Sequence, residues 1–177
     1  ISRTYLPVLR DMLIEREFGK LMKHTRFIET TLGLIGISEI DGFITEIFLE
    51  KDTQKKEGGE QTSVLKEAEK QLTEYLSGTR KVFNLPLTAN GTDFQNLVWE
   101  TLRKIPYGET RSYKQVAEMI GNPNASRAVG MANNKNPILI VTPCHRVIGA
   151  NGKLVGYAAG LDIKGKLLKL EQTYANR

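Results

Sequence analysis

Residues 112–134 read Ser-Tyr-Lys-Gln-Val-Ala-Glu-Met-Ile-Gly-Asn-Pro-Asn-Ala-Ser-Arg-Ala-Val-Gly-Met-Ala-Asn-Asn. Ser112 and Gln115 form a capping box, the reciprocal pairing that starts a helix. Tyr113, Val116 and Ile120 follow at helical spacing. Gly121-Asn122-Pro123 then makes a tight turn, with Asn122 expected as cap and Pro123 in the first turn of a helix reaching Asn134. Two short helices about a glycine-containing turn are the pattern of a helix-turn-helix, although any helical hairpin produces it.

Immediately downstream, residues 136–146 read Asn-Pro-Ile-Leu-Ile-Val-Thr-Pro-Cys-His-Arg. An apolar run, Ile138 to Val141, delivers a proline-flanked cysteine followed by histidine and arginine. A cysteine behind such a run is ordinarily a small hydrophobe. A base and a positive charge beside it favour the thiolate, the nucleophilic form, and His145 and Arg146 supply both. In an extended strand Cys144 and His145 would point to opposite faces, so their cooperation requires a turn there or a relaying water.

Upstream, Thr92 and Gln95 form another capping box ahead of Phe94, Val98, Leu102 and Ile105, and Pro106-Tyr107-Gly108 is expected to end that helix. Phe83, Leu85 and Leu87 alternate as a strand does, and Asn90-Gly91 marks a boundary between two halves. Ser63 to Ser77 reads as a helix stopped by Gly78, burying Leu65, Ala68, Leu72, Tyr75 and Leu76. Residues 52–61 are polar and read as a mobile surface loop. Phe27 to Glu39 and Phe43 to Leu49 read as two strands around Asp41-Gly42, a strong hairpin signal. The first two dozen residues read as an amphipathic helix carrying Leu6, Leu9, Leu13, Phe18 and Leu21.

Composition narrows the classes. The chain has 177 residues and a net charge of +5. From Ser112 to Gly160 its charged side chains are Lys114, Arg127, Lys135, Arg146 and Lys153 against Glu118 alone, which favours an anionic partner. The single cysteine excludes an internal disulfide or a cysteine cluster for a structural metal, and fits a reducing compartment. No apolar run approaches a membrane span, and no signal-peptide pattern opens the chain.

Pro143-Cys144-His145-Arg146-Val147 resembles the active-site motif of the O6-alkylguanine-DNA alkyltransferases. The likeness continues through Ser112-Tyr113, Gly121-Asn122-Pro123, Arg127-Ala128-Val129-Gly130, Asn136-Pro137, Gly156-Tyr157, Gly160-Leu161 and Glu171. It covers about Phe27 to Glu171 and is strongest from Phe94 onward. The resemblance implies an N-terminal ribonuclease-H-like α/β domain over residues 26–91. A mainly helical, winged-helix-like C-terminal domain with the helix-turn-helix would follow over 92–177; residues 1–25 fall outside the resemblance and are expected, from their spacing alone, to be a helical extension.

It also implies roles. Cys144 would take an alkyl group from guanine O6, and also from thymine O4, in one self-inactivating turnover. His145 would act as base through a water, with Glu171 orienting it; Tyr113 would donate to guanine N3; Asn136 would hold the turn and support the thiolate. Val147, Tyr157, Ala158 and Ala159 would line the pocket of a base rotated out of the duplex. Arg127 would fill the gap in the stack, with Ser112 and the small Ala128, Gly130 and Ala132 against the minor groove. The partner would be double-stranded DNA bearing alkylated guanine, read by a monomer in the cytoplasm and nucleoid or in a nucleus, with no cofactor, metal or membrane. Many relatives carry serine or glycine where Ala158 and Ala159 stand. The zinc site of some relatives cannot be assembled from one cysteine, His24 and His145. Two other readings stay open on the residues alone: a Cys-His hydrolase, and a DNA-binding regulator without catalysis.

Overall fold

The computed structural model describes residues 21–54 and 59–177. The helix expected over the first two dozen residues falls, for residues 1–20, outside the described residues, as do residues 55–58 of the polar loop. Strand β1, Lys23–Thr30, begins inside the stretch expected to be a helical extension.

β1 pairs antiparallel with β2, Gly33–Ile40, and β2 with β3, Phe43–Leu49, so β2 is the central strand and is almost wholly buried. The expected single strand from Phe27 to Glu39 is therefore two strands. Its break at Thr31-Leu32 is built by the Thr30 hydroxyl, which donates to Gly33 O at 2.8 Å and accepts from Leu32 N at 3.1 Å. Gly33 has a φ of 118°, which only glycine adopts without strain. The second turn is the expected one, with Asp41 and Gly42 both at positive φ. Helix α1, Ser63–Leu76, is capped by Thr62 and covers the sheet with Leu65, Ala68, Leu72 and Tyr75.

The strand expected through Phe83, Leu85 and Leu87 is instead an extended segment touching β3 at one point, where Ile44 N donates to Pro86 O and Thr88 N to Ile44 O. Pro86 has no N–H to extend a ladder. A second segment uses the same edge: Ile47 N donates to Pro137 O at 2.9 Å and Leu139 N to Ile47 O at 3.0 Å. The β3 edge is thus covered by chain from the other half of the molecule, and the approach to Cys144 is pinned to the sheet.

Helix α2, Asp93–Leu102, starts with the Thr92–Gln95 capping box in full. It ends at Leu102, so Pro106-Tyr107-Gly108 lies beyond the helix that it was expected to stop. β4, Arg111–Ser112, leads into α3, Tyr113–Met119, through the Ser112–Gln115 capping box. Helix α4 spans Ser126–Asn134, three residues later than expected. Asn122 O accepts from Ala125 N, closing a separate turn that holds Pro123 outside the helix. Cys144–Arg146 is one turn of 3₁₀ helix, β5, Val147–Ile148, pairs in parallel with β4, and α5, Leu161–Tyr174, closes the fold. One continuous apolar core joins Ile47 and Tyr75 to Ile138, Cys144, Val147 and Leu167.

Candidate active site

Positive φ at Ile140 and the bonds Val141 N to Leu139 O and Thr142 N to Ile138 O curl the apolar run before Cys144. The 3₁₀ turn then sets Cys144 and His145 about 120° apart around its axis instead of on opposite faces. Asn136 secures the turn from three sides. Its Nδ2 donates to Thr142 O at 2.8 Å and to Cys144 Sγ at 3.0 Å, while its Oδ1 accepts from Ile138 N at 3.0 Å.

The thiol is 1% exposed. Burial pushes its pKa up to about 11, against the opposing pull of the Asn136 amide, the Lys164 charge, the backbone and the Tyr157 hydroxyl. Cys144 therefore rests protonated, and ionisation must accompany the reaction. His145 is fully buried, and burial holds its pKa below the ordinary value despite Glu171. It is a neutral imidazole whose Nε2–H donates to Glu171 Oε1 at 2.8 Å. The opposite nitrogen, Nδ1, is then a bare acceptor, and it has no partner. A neutral base oriented by a carboxylate beside a thiol is what proton removal from Cys144 requires.

Glu171, on α5, organises the interior. Besides His145 it accepts Arg146 Nε at 3.1 and 2.9 Å, Arg146 Nη2 at 2.8 Å, Gly108 N at 3.2 Å and the Tyr75 hydroxyl at 2.6 Å. Burial would raise its pKa, but the bonds from His145 and Arg146 prevail and hold it at about 2.

Two residues here escaped the sequence reading. Tyr75 comes from α1, ninety-six positions before Glu171, so only the folded chain shows its role. Lys164 lies two turns before Glu171 on α5 and is wholly buried; its Nζ donates to Val155 O at 2.8 Å and Gly156 O at 3.4 Å. No carboxylate pairs with it among the described residues, and burial lowers its pKa to about 8 while Cys144 opposes that fall. Lys164→Met is expected to slow transfer roughly ten- to a hundredfold, since hydrogen bonds to a charged group contribute about 1.5–3 kcal/mol. Single-turnover rates measure this, and an unchanged rate would remove Lys164 from the site.

The remaining residues divide by face. Val147 and Tyr157 are buried at the site. The Tyr157 hydroxyl faces the thiol without completing a hydrogen bond, and its pKa is raised well above the ordinary value, first by burial and then by Cys144. Ala158 and Ala159 border a groove of about 670 Å³ shared with Asn136, Leu139 and Ile163. Tyr113 donates to Val155 O at 2.9 Å, so its hydroxyl meets the loop that Lys164 holds. Ser112 caps α3. Arg127 and Ala128 are exposed on α4, a Cβ added at Gly130 would lie 3.7 Å from the Tyr113 ring, and Ala132 faces inward, its carbonyl accepting Trp99 Nε1. Among the described residues no group of three or more His, Cys, Asp and Glu side chains could hold a metal, and no helix is long and apolar enough to cross a membrane.

A helix-turn-helix with an exposed arginine, set against a buried thiol, an imidazole and a carboxylate, defines a DNA-facing protein with a cysteine acceptor. A family model described as the 6-O-methylguanine DNA methyltransferase DNA binding domain matches residues 93–173, and one described as the ribonuclease-like domain of the same protein matches residues 23–89. The methylated-DNA–protein-cysteine methyltransferase of Methanosarcina acetivorans is 61% identical over 112 residues, 63% of this chain and 72% of that protein. The constitutive enzyme of Bacillus subtilis is 45% identical over 159 residues, covering 85% and 96%. A crystal structure of the Mycobacterium tuberculosis O6-methylguanine methyltransferase superimposes with a TM-score of 0.78 at 41% identity, covering 86% of this chain and 94% of that one. Another, of the M. tuberculosis protein in complex with DNA, gives 0.75 at 42% identity over 85% and 93%. The chain belongs to the 6-O-methylguanine DNA methyltransferase family.

Proposed function

We propose that this protein repairs alkylated DNA by moving an alkyl group from guanine O6, and from thymine O4, onto Cys144. The observation that carries the reading is the buried thiol held by Asn136 beside a neutral His145 whose Nε2 is committed to Glu171. In the transfer, Cys144 loses its proton toward His145 Nδ1 through a water, and the sulfur attacks the alkyl carbon. A C–S bond forms as the C–O bond breaks, and Tyr113 donates toward guanine N3 so that guanine need not leave as an anion. The thioether has no leaving path, so each molecule acts once.

The division at residues 91 and 92 assigns the sheet half to support and the helical half to DNA. Arg127 and Ala128 on the exposed face of α4 meet the minor groove, and Arg127 occupies the space left by the rotated nucleotide. Ser112 and Gly130 set the α3–α4 pair, while Val147, Tyr157, Ala158 and Ala159 enclose the base. A monomer suffices, acting on duplex DNA in the cytoplasm and nucleoid or in a nucleus. Intact mass measurement after mixing with O6-methylguanine DNA tests the reading: one methyl group per chain is expected, and an unchanged mass would reject it.

Arg127→Ala is expected to slow repair of duplex DNA far more than reaction with free O6-alkylguanine base. Equal losses on both would assign Arg127 to folding or chemistry. DNA affinity should also fall steeply with salt, each phosphate contact adding a slope of about −0.9 in log K against log salt. A flat response would remove the basic face from binding.

A further inference from the structure

The side chains of His145 and Glu171 form most of their hydrogen bonds within the helical half: with each other, with Arg146 and with Gly108 N. The exception is Tyr75, in the last turn of α1 in the sheet half. Its hydroxyl donates to Glu171 Oε1 at 2.6 Å, the same oxygen that takes His145 Nε2, and lies 3.4 Å from Nε2 itself. The side chain is fully buried, its ring 5.3 Å from that of Phe83 and edge-on to Tyr107 at 6.0 Å, so packing fixes where the hydroxyl points. Burial and the Glu171 charge hold its pKa well above the ordinary value, and it stays a donor.

We propose that Tyr75 is a positioning residue for the transfer: by donating to the oxygen that His145 uses, it keeps the imidazole uncharged and its Nδ1 free to take the Cys144 proton. The sheet half thereby enters the chemistry of the cysteine. This rests on the alkyl-transfer reading above. A hydrogen bond from a neutral hydroxyl satisfies part of the charge on Glu171 Oε1, which weakens the pull of that oxygen on a protonated imidazole. With its own proton given to Glu171, the Tyr75 oxygen offers Nε2 only lone pairs, so Nε2 carries the hydrogen and Nδ1 is left bare. The charged neighbours act around this arrangement. Glu171 favours the protonated ring, whereas Arg146 and Lys164 oppose it. Cys144, Tyr75 and Tyr107 are protonated at rest and add no charge.

The test is Tyr75→Phe, which removes the hydroxyl and keeps the ring. The chain has two histidines, so nitrogen NMR of the free protein can follow the His145 ring, with His24 on β1 as internal reference. Burial holds the His145 pKa below its ordinary value. Without the hydroxyl Glu171 favours the protonated ring more, and the midpoint should rise by about one pH unit, a tenfold change in that equilibrium. A charged ring cannot take the thiol proton. The acidic limb of the single-turnover rate on O6-methylguanine duplex should therefore move to higher pH by the same amount, with a loss of about tenfold below it. Phe83→Leu, which loosens the ring and keeps the hydroxyl, should lower the melting temperature without moving the limb. A His145 midpoint that stays in place or falls in Tyr75→Phe would overturn the proposal, as would a rate loss equal at every pH. Should Tyr75→Phe not fold, the wild-type protein decides: the Tyr75 hydroxyl proton should be protected from exchange and lie close to the His145 ring, and a freely exchanging one would overturn the proposal. Absence of transfer by the wild-type protein at every pH, with the His145 shift present in the variant, would instead reject the alkyl-transfer reading itself.

Discussion

Replacing Cys144 by alanine is expected to abolish alkyl transfer outright while leaving DNA binding in place. The thiol is the proposed acceptor, and the chain contains no second cysteine to substitute for it. At 1% exposure it makes no contact that a phosphate could use. Asn136 keeps its bonds to Thr142 O and Ile138 N in the variant, so the turn retains its frame. Loss of one small buried side chain costs about 1 kcal/mol, or roughly 2–4 °C in a chain of this size. Transfer assays with labelled O6-methylguanine duplex, run beside gel-shift titrations and thermal melts, separate the outcomes. Residual methylation of the protein would defeat the assignment of Cys144. A collapse in melting temperature would show the thiol to be a packing element.

Glu171→Gln is expected to be the most damaging change that leaves the nucleophile in place. The carboxylate is 1% exposed and accepts from Tyr75, Gly108, His145 and Arg146, so its loss leaves a guanidinium buried without a counter-charge. Breaking a buried pair in this way costs about 3–5 kcal/mol, which corresponds to a fall of roughly 6–20 °C. Transfer should fall further than stability alone explains, because an amide presents either N–H or C=O to Nε2 and no longer fixes the tautomer that keeps Nδ1 free. The pH dependence gives a second signature. The folded pKa of Glu171, about 2, lies below its ordinary value of 4.5. The carboxylate therefore contributes stability at pH above that ordinary value, and the contribution is lost as pH falls from about 4.5 through 2. Melting temperature against pH should show this loss in the wild-type protein and a shallower one in Glu171→Gln. Parallel curves would place the acid transition elsewhere.

The features legible in the sequence are those determined within a few residues. Both capping boxes depend on side chains three positions from the backbone that they serve, and the Asp41-Gly42 turn and the stop at Gly78 on a positive φ that glycine adopts freely. The misread elements turn on single hydroxyls and backbone groups that leave no pattern in the residue types. Phe83 to Leu87 alternates correctly, but Pro86 and a single bridge to Ile44 leave it outside any ladder. The break at Thr31-Leu32 depends on one hydroxyl and one glycine, without the usual Asn or Asp. Pro123 fits a helix start, yet the turn closed by Asn122 O takes it first. The cysteine and histidine could be singled out because their chemistry is conspicuous, whereas Glu171 entered only through the family resemblance. Tyr75 and Lys164 could not. A tyrosine on an amphipathic helix and a lysine among lysines carry no local mark, and each acquires its place only when α1 and α5 meet at the site.

The deep burial of Cys144 bears on how long an idle molecule stays usable. A protein whose acceptor is consumed by one event can also be ruined by stray oxidants and electrophiles while no lesion is present. Those reactions need an accessible thiolate. A sulfur at 1% exposure with a pKa of about 11 provides neither accessibility nor charge. Peroxide and small alkylating agents in solution should react with Cys144 far more slowly than with an exposed thiol. The stock of intact protein is thus kept for the one encounter in which the alkyl group arrives on a base already seated against the sulfur.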